Sequence, residues 1–178
     1  MHLALIGYRG TGKSTIAPQI AMLRGVKAID ADGEIERTAG KSIREIFAEG
    51  GEARFRDLET QMLQALLQAP PSVLSLGGGV ILRPENRTLL KSCFTVWLTA
   101  PLETILKRLE LDSQKRSQRP SLTSLPPDQE IAKLLEQRNP LYAECADLTV
   151  STEQLSVEES AKSILEAWQA RDASHAKR

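Results

Sequence analysis

The segment Gly7–Ser14 combines residue types and spacing that suit the binding of a phosphate chain. It reads GYRGTGKS, which matches the pattern G-x-x-x-x-G-K-[ST] of nucleotide-binding loops. Glycines let such a loop wrap a phosphate with backbone N–H groups, while the lysine reaches the β- and γ-phosphates and the serine hydroxyl binds Mg²⁺. An apolar run, Leu3–Ile6, precedes the loop, and an amphipathic stretch, Thr15–Leu23, follows it. This context predicts that the chain binds a nucleoside triphosphate through Lys13 and Ser14.

Two carboxylates, Asp30 and Asp32, follow the second apolar run. Alternate side chains of an extended segment point the same way, so both can face one cleft. One could hold Mg²⁺ through its water shell, and the other could take a proton from an attacking hydroxyl. The alternative is a polar strand end at which Asp32 caps the next helix. With Gly33 the residues also match the D-x-x-G switch of GTPases, but the chain has no Asn-Lys-x-Asp to recognise guanine.

Arg56 lies on a predicted helix with Glu59 three residues later, on the same face. A guanidinium oriented in this way is well suited to bidentate binding of a carboxylate or phosphate. The alternative is an ordinary surface ion pair. Helical periodicity alone does not decide between Arg54 and Arg56 as the functional arginine.

Three further features lie near predicted strand or helix ends. Gly77–Gly79 directly follow an apolar run, and three glycines there suit close approach of a ligand, although a plain loop is the alternative. A basic cluster that includes Arg119 could neutralise a transferring phosphoryl group, or could be solvated surface. Arg138 precedes Asn139-Pro140, where we expect the proline to end a helix.

Composition restricts the class of protein. The chain has 178 residues, which suits one domain, and it balances 23 basic against 23 acidic residues. Neither nucleic acid nor an anionic membrane is therefore expected as a partner. Cys93 and Cys145 show no metal or redox spacing, and Cys93 is expected in the core. Without an apolar run of membrane-spanning length or a signal-like N-terminus, we expect a cytoplasmic protein.

Alternating apolar and amphipathic stretches must position these residues. The predicted strands are Leu3–Ile6, Val26–Ile29, Val73–Leu76, Phe94–Leu98 and Leu148–Val150. The predicted helices are Thr15–Leu23, Glu34–Thr38, Ile43–Phe47, Glu52–Gln68, Pro84–Lys91, Leu102–Leu111, Pro127–Arg138 and Val157–Arg171. This alternation predicts an α/β domain with a parallel sheet buried on both faces, whose ligands lie beyond the carboxyl ends of the strands. The polar stretch at 112–124 suggests a mobile lid, and residues 172–178 a frayed tail.

These motifs, in this order, resemble the shikimate kinase family, over most of the chain from Leu3 to about Val150. The family carries a phosphate loop, an Asp-x-Asp, a Phe-Arg-x-x-Glu helix, a Gly-Gly-Gly turn, an Arg-Pro lid and an Arg-x-Pro-Leu-Tyr element. Here these correspond to Gly7–Thr15, Asp30/Asp32, Phe55–Glu59, Gly77–Gly79, Arg119-Pro120 and Arg138–Tyr142. No element after the first is specific alone, but their joint order is.

The resemblance implies roles for the matching positions. Asp30 and Ser14 would support Mg²⁺, and Asp32 would hold shikimate hydroxyls and act as the base. The phosphate contacts would come from Gly10, Thr11, Gly12, Lys13, Ser14, Thr15 and Arg119, with Arg108 near the adenine. The shikimate carboxylate and ring would be held by Arg56, Gly78, Gly79 and Arg138, and this order selects Arg56 over Arg54. Phe47 and Phe55 would pack beside the ring or belong to the core.

The resemblance further implies a three-layer P-loop kinase fold in one domain, 1–178, with a five-stranded parallel sheet in the order 2-3-1-4-5 and substrate-binding helices at about 32–60. The implied reaction is ATP-dependent phosphorylation of the shikimate 3-hydroxyl by a monomer, with catalysis by Lys13, Asp32 and Arg119. The lid departs from the family's usual Arg-Pro-Leu-Leu because Ser121 replaces a leucine. A gluconate-kinase-like enzyme and a nucleotide-binding regulatory module are the alternative functions.

Overall fold

Strands and helices alternate along the chain, in a computed structural model that describes residues 1–113 and 126–175. The strands are β1 Leu3–Ile6, β2 Ala28–Asp30, β3 Val73–Ser75, β4 Phe94–Thr99 and β5 Leu148–Ser151. The helices are α1 Lys13–Arg24, α2 Ala31–Ala39, α3 Ile43–Leu67, α4 Pro84–Leu90, α5 Leu102–Ser113, α6 Pro127–Cys145 and α7 Val157–His175, and a 3₁₀ turn spans Val80–Leu82.

All five strands form one parallel sheet in the order β2-β3-β1-β4-β5, which confirms the expected fold. Neighbouring side chains of β1 enter two different cores because successive residues of a strand face opposite sides of the sheet. Leu3 and Leu5 pack in the core that includes α1 and α7. Ala4 and Ile6 pack in the core that includes α3 and α6. Burial on both faces explains why β1 is uniformly apolar.

Two predicted boundaries near the second strand were wrong. The strand begins at Ala28 instead of Val26, and α2 begins at Ala31 instead of Glu34. The early start of α2 has a local cause, because the side chain of Asp30 accepts a hydrogen bond from the backbone N–H of Asp32 at 3.3 Å. Asp30, and not Asp32, is therefore the residue that caps this helix.

The predicted end of a helix at Arg138 was also wrong, because α6 continues through Pro140 to Cys145. A proline inside a helix removes a backbone hydrogen bond and disfavours the helix by about 3 kcal/mol. Packing beyond the proline opposes this cost. Tyr142 is fully buried, and its ring lies 5.7 Å from that of Trp97 on β4.

Two further predicted ends are extended in the structure. The stretches predicted as Ile43–Phe47 and Glu52–Gln68 both lie in α3, where the non-helical backbone of Gly51 separates two helical segments as predicted, but the first segment continues beyond Phe47 to this kink. Helix α7 runs to His175, beyond its predicted end at Arg171, and Asp172 within it pairs with Arg24 at 2.9 Å. No helix among the described residues is long and apolar enough to cross a membrane.

The kink in α3 generates a stability prediction. Gly51 has φ 67° and ψ −172°, a region that is essentially restricted to glycine. We expect Gly51→Ala to lower the free energy of unfolding by about 1–3 kcal/mol. Gly33→Ala is the matched control, because Gly33 lies within α2 and an added Cβ would meet only Asp30 Cβ, at 4.0 Å. It should raise stability by about 0.5–1 kcal/mol. Urea denaturation measures both, and a stabilising Gly51→Ala would contradict the kink.

Candidate active site

The carboxyl edge of the sheet brings the predicted motifs together. The phosphate loop follows β1, Asp30 ends β2, and Gly77–Gly79 follow β3, and these three strands are neighbours in the sheet. Parallel strands end at the same edge, which is where ligands of such sheets bind. The phosphate loop and the Asp-x-Asp segment therefore border one site.

The phosphate loop closes by backbone conformations that favour glycine. Gly7, Gly10 and Gly12 have φ of 136°, 80° and 95°. A Cβ on Gly7 would clash with the backbone oxygen of Leu98 on β4. These glycines allow the loop to fold tightly between β1 and α1, and its backbone fits the phosphate chain of a nucleotide.

Lys13 is held inside this loop. Its Nζ donates to the backbone oxygens of Gly7 at 2.6 Å and Tyr8 at 2.8 Å, and the residue is 8% exposed. Ser14 and Thr15 continue the first turn of α1 and are both exposed. The ammonium group therefore lies at the N-terminus of α1, where a positive dipole end and a cation both attract anions.

The structure changes the geometric argument for the two aspartates. Asp30 ends β2 and caps α2, whereas Asp32 already lies in the first turn of that helix, so they are not alternate residues of one extended segment. Asp30 is exposed, and Oδ1 of Asp32 is buried. The two carboxylates therefore differ in environment.

The donors proposed for Mg²⁺ suit that ion in chemical type. Ser14 offers a hydroxyl and Asp30 an exposed carboxylate. Across the parts of the chain that the structure describes, no three His, Cys, Asp or Glu side chains cluster to hold a metal. Mg²⁺ in kinases is typically held by one or two protein oxygens, by waters and by the substrate phosphates, and this donor set agrees with that mode.

Arg56 forms a buried ion pair with Glu59. Its Nη1 donates to Glu59 Oε2 at 2.6 Å, and its Nε and Nη2 donate to Glu52 Oε1 at 3.2 and 3.1 Å. Arg56 is 8% exposed and Glu59 4%, whereas Arg54 is exposed. Although burial lowers the pKa of Arg56, the carboxylates of Glu59 and Glu52 raise it overall. The structure thus distinguishes the two arginines that periodicity could not.

The glycine turn after β3 is shaped by side chains of the site. A Cβ on Gly79 would clash with the Arg56 guanidinium. A Cβ on Gly77 would lie 2.8 Å from Glu59 Oε1 and 2.9 Å from Asp32 Oδ1. Glycine is therefore required at both positions for Arg56, Glu59 and Asp32 to pack against the turn. The sequence argument anticipated close approach by a ligand, whereas the contacts seen are with the chain's own side chains.

Arg138 reaches the same turn from α6. Its Nη1 lies 3.5 Å from the backbone oxygen of Gly78, and the hydroxyl of Tyr142 donates to that oxygen at 2.5 Å. Burial raises the pKa of Tyr142, which keeps this hydroxyl protonated as a donor. Arg138 is 7% exposed, and its buried Nε has no hydrogen-bond partner within residues 1–113 and 126–175. Two buried guanidinium groups thus flank the glycine turn.

Phe47 and Phe55 pack against each other, with ring centroids 5.0 Å apart. Phe55 is fully buried in a cluster with Ile35, Ile43 and Ile46, and its ring lies 5.1 Å from the guanidinium carbon of Arg56. Of the two roles left open, the core role therefore describes Phe55.

Cys93 is likewise buried, as expected, and burial raises the pKa of its thiol to about 11.

Arg108 and Thr152 form hydrogen bonds that join the phosphate loop to α5 and to the end of β5. Arg108 Nη1 donates to the backbone oxygen of Gly10 at 3.1 Å and to Thr152 Oγ1 at 2.9 Å. Sequence reasoning missed Thr152, because a single threonine after a strand carries no motif. Its position directly after β5, at the ligand-binding edge, is the one signal that could have identified it. The predictions for Arg119 and for most of the 112–124 lid lie outside the described residues.

The Arg56–Glu59 pair generates a prediction about stability. Removing one partner of a buried pair typically costs about 3–5 kcal/mol, because the other charge stays buried. We expect Glu59→Gln to lower the free energy of unfolding by about that amount. Glu52→Gln is the matched control on the same arginine, and since Glu52 is 46% exposed its loss should stay below about 1 kcal/mol. Equal losses in urea denaturation would contradict the distinction.

Comparison with known proteins agrees with this geometry. The family model described as shikimate kinase matches residues 9–169. A shikimate kinase from Rhodopirellula baltica is 41% identical, over 93% of this chain and 89% of its own length. The structure of shikimate kinase from Acinetobacter baumannii in complex with shikimate has a TM-score of 0.87 and 36% identity, covering 96% of this chain and 93% of that one. A gluconokinase from Sinorhizobium meliloti, at 16% identity and a TM-score of 0.57 with coverage of 99% and 95%, shares the fold alone. With its phosphate loop and its paired buried arginines at one sheet edge, the chain belongs to the shikimate kinase family.

Proposed function

We propose that the protein transfers the terminal phosphoryl group of ATP to the 3-hydroxyl of shikimate, a step of chorismate and aromatic amino-acid biosynthesis. The observation that supports this most directly is the placement of two buried guanidinium groups, Arg56 and Arg138, against one glycine turn. This turn follows β3, next to the strand that carries the phosphate loop. An acidic acceptor and a phosphate donor can therefore bind side by side.

The acceptor carboxylate is held by Arg56 and Arg138. Guanidinium groups bind carboxylates in bidentate fashion, and the buried Nε of Arg138 offers a donor not used by the described residues. Glu59 fixes the Arg56 side chain before the substrate binds, which lowers the entropy lost on binding. The backbone of Gly78 and Gly79, which lies beside these two guanidinium groups, is proposed to contact the ring.

Asp32 is the proposed general base for the acceptor hydroxyl. Its Oδ1 lies beside Gly77 and so borders the acceptor pocket. In phosphoryl transfer a carboxylate of this kind orients the hydroxyl and accepts its proton, while most of the rate comes from positioning and charge neutralisation. Lys13, in the phosphate loop, stabilises negative charge on the phosphates, and Arg119 is proposed to add a second positive charge from a lid at 112–124.

Mg²⁺, when bound by Ser14 and Asp30, would neutralise charge on the phosphates. The nucleotide phosphates are proposed to lie along the loop from Gly10 to Thr15, with Arg108 near the adenine.

We further propose a monomer in the cytoplasm. The four large exposed apolar residues among those described, Met22, Leu23, Leu111 and Leu155, are spread over two helices and a loop, and both cysteines are free thiols.

Replacement of the base gives the first test of this function. In a coupled ADP-release assay with Mg·ATP, release should require shikimate, and gluconate in parallel should not support it. Asp32→Asn should lower the rate by about 10²–10⁴-fold, because the amide cannot accept the proton. Asp172→Asn, which alters an ion pair between α7 and α1, is the control and should retain the wild-type rate. If gluconate supported ADP release and shikimate did not, the acceptor would be gluconate and not shikimate. ATP binding without any turnover would favour a regulatory module.

The arginine assignment gives a second test. Arg56→Ala should raise the dissociation constant of shikimate by about 10- to 150-fold, since each charge-assisted hydrogen bond contributes about 1.5–3 kcal/mol. The dissociation constant of ATP should stay within about two-fold. Arg54→Ala is the matched control two residues away, with an exposed side chain, and should leave both constants unchanged. Isothermal titration measures both ligands. Parallel loss of the two affinities in Arg56→Ala would contradict the assignment.

A further inference from the structure

One threonine hydroxyl joins three elements on the nucleotide side of the site. Thr152 directly follows β5 and is 5% exposed. Its Oγ1 lies 3.1 Å from the backbone oxygen of Thr11 in the phosphate loop and 3.2 Å from that of Thr99 at the end of β4. The same oxygen accepts a hydrogen bond from Arg108 on α5 at 2.9 Å. The hydroxyl therefore connects the phosphate loop to β4 and α5.

Arg108 strengthens this connection. Its Nη2 donates to the backbone oxygen of Thr152 at 2.7 Å, and its Nη1 also donates to the backbone oxygen of Gly10 at 3.1 Å. Two consecutive loop carbonyls, those of Gly10 and Thr11, are thus held by groups outside the loop. The backbone N–H of Thr152 donates to Thr99 at 2.9 Å, which fixes the threonine itself.

The planarity of the peptide bond gives these contacts a consequence for phosphate binding. The C=O of Thr11 and the N–H of Gly12 belong to one trans peptide unit, so they point in opposite directions. A contact that holds the Thr11 oxygen toward Thr152 therefore directs the Gly12 N–H to the opposite side. Phosphate loops bind their ligand with backbone N–H groups of this kind.

We propose that Thr152 is a positioning residue for nucleotide binding, whose hydroxyl orients the Thr11–Gly12 peptide toward the phosphate chain. It acts through the loop and does not itself touch the nucleotide. This inference rests on the proposed function, because it assumes that the loop binds ATP. If the proposal is correct, the Thr152 hydroxyl contributes to the affinity for phosphates and not to the affinity for adenine or shikimate.

The test compares Thr152→Val, which removes the hydroxyl, with Thr152→Ser, which keeps it. Thr95→Val is the matched control, because Thr95 is a fully buried threonine on β4 whose hydroxyl donates to the Leu90 backbone oxygen at 3.2 Å. Dissociation constants are measured for ATP, inorganic tripolyphosphate, adenosine and shikimate, together with melting temperatures. Tripolyphosphate and adenosine separate the two halves of the nucleotide.

Thr152→Val should weaken ATP and tripolyphosphate by about 5- to 10-fold, the loss expected for one hydrogen bond. Adenosine and shikimate should bind within about two-fold of wild type, Thr152→Ser should restore phosphate binding, and Thr95→Val should lower only the melting temperature. If Thr152→Val does not fold, Thr152→Ala replaces it.

Three results would each overturn the proposal. Thr152→Val could bind tripolyphosphate as tightly as wild type, or it could lose the same affinity for all four ligands. Thr152→Ser could bind the phosphates as weakly as Thr152→Val. Wild-type protein that failed to bind ATP would overturn the proposed function as well. Wild-type binding with an unaffected Thr152→Val would overturn this inference alone.

Discussion

Arg56 is buried beside the carboxyl edge of the sheet, where an isolated charge would cost several kcal/mol of lost hydration. Glu59 supplies a carboxylate to Arg56 at 2.6 Å from one helical turn away. The ion pair in turn determines which residues the neighbouring glycine turn can contain. Gly79 must lack a Cβ to admit the guanidinium, and Gly77 must lack one to admit Glu59 and Asp32. The composition of the glycine turn follows from the packing of these side chains.

The two halves of the site use different chemistry. The phosphate half is built mainly from backbone, with three glycines at positive φ and the N-terminus of α1. Backbone N–H groups suit a phosphate chain of any nucleotide. The half around the glycine turn, where the acceptor is proposed to bind, is built from side chains, with Arg56 and Arg138 as buried cations and Asp32 as a carboxylate. Under the proposed function, the selectivity of the enzyme for its acceptor depends on this half.

Several features could be predicted because their causes are local. The phosphate loop has a fixed residue spacing, and the apolar run before it becomes a strand buried on both faces. The spacing of Arg56 and Glu59 places them on one helix face, and they do pair there. Boundaries were less predictable, since α2 starts early through the Asp30 cap and α6 continues through Pro140. The proline has a local preference that packing of Tyr142 overrides.

The sequence by itself determined the order of strands and helices, the phosphate loop and the residue types available at each strand end, since these depend on neighbours along the chain. The order of the motif selected Arg56 over Arg54, but only the tertiary structure showed that Arg56 is buried and Arg54 exposed, because exposure depends on what covers a helix face. It also placed Thr152 against Thr11, although 141 positions separate them along the chain. Such contacts leave no periodic trace in a sequence, because they arise when crossover connections bring the ends of parallel strands to one edge.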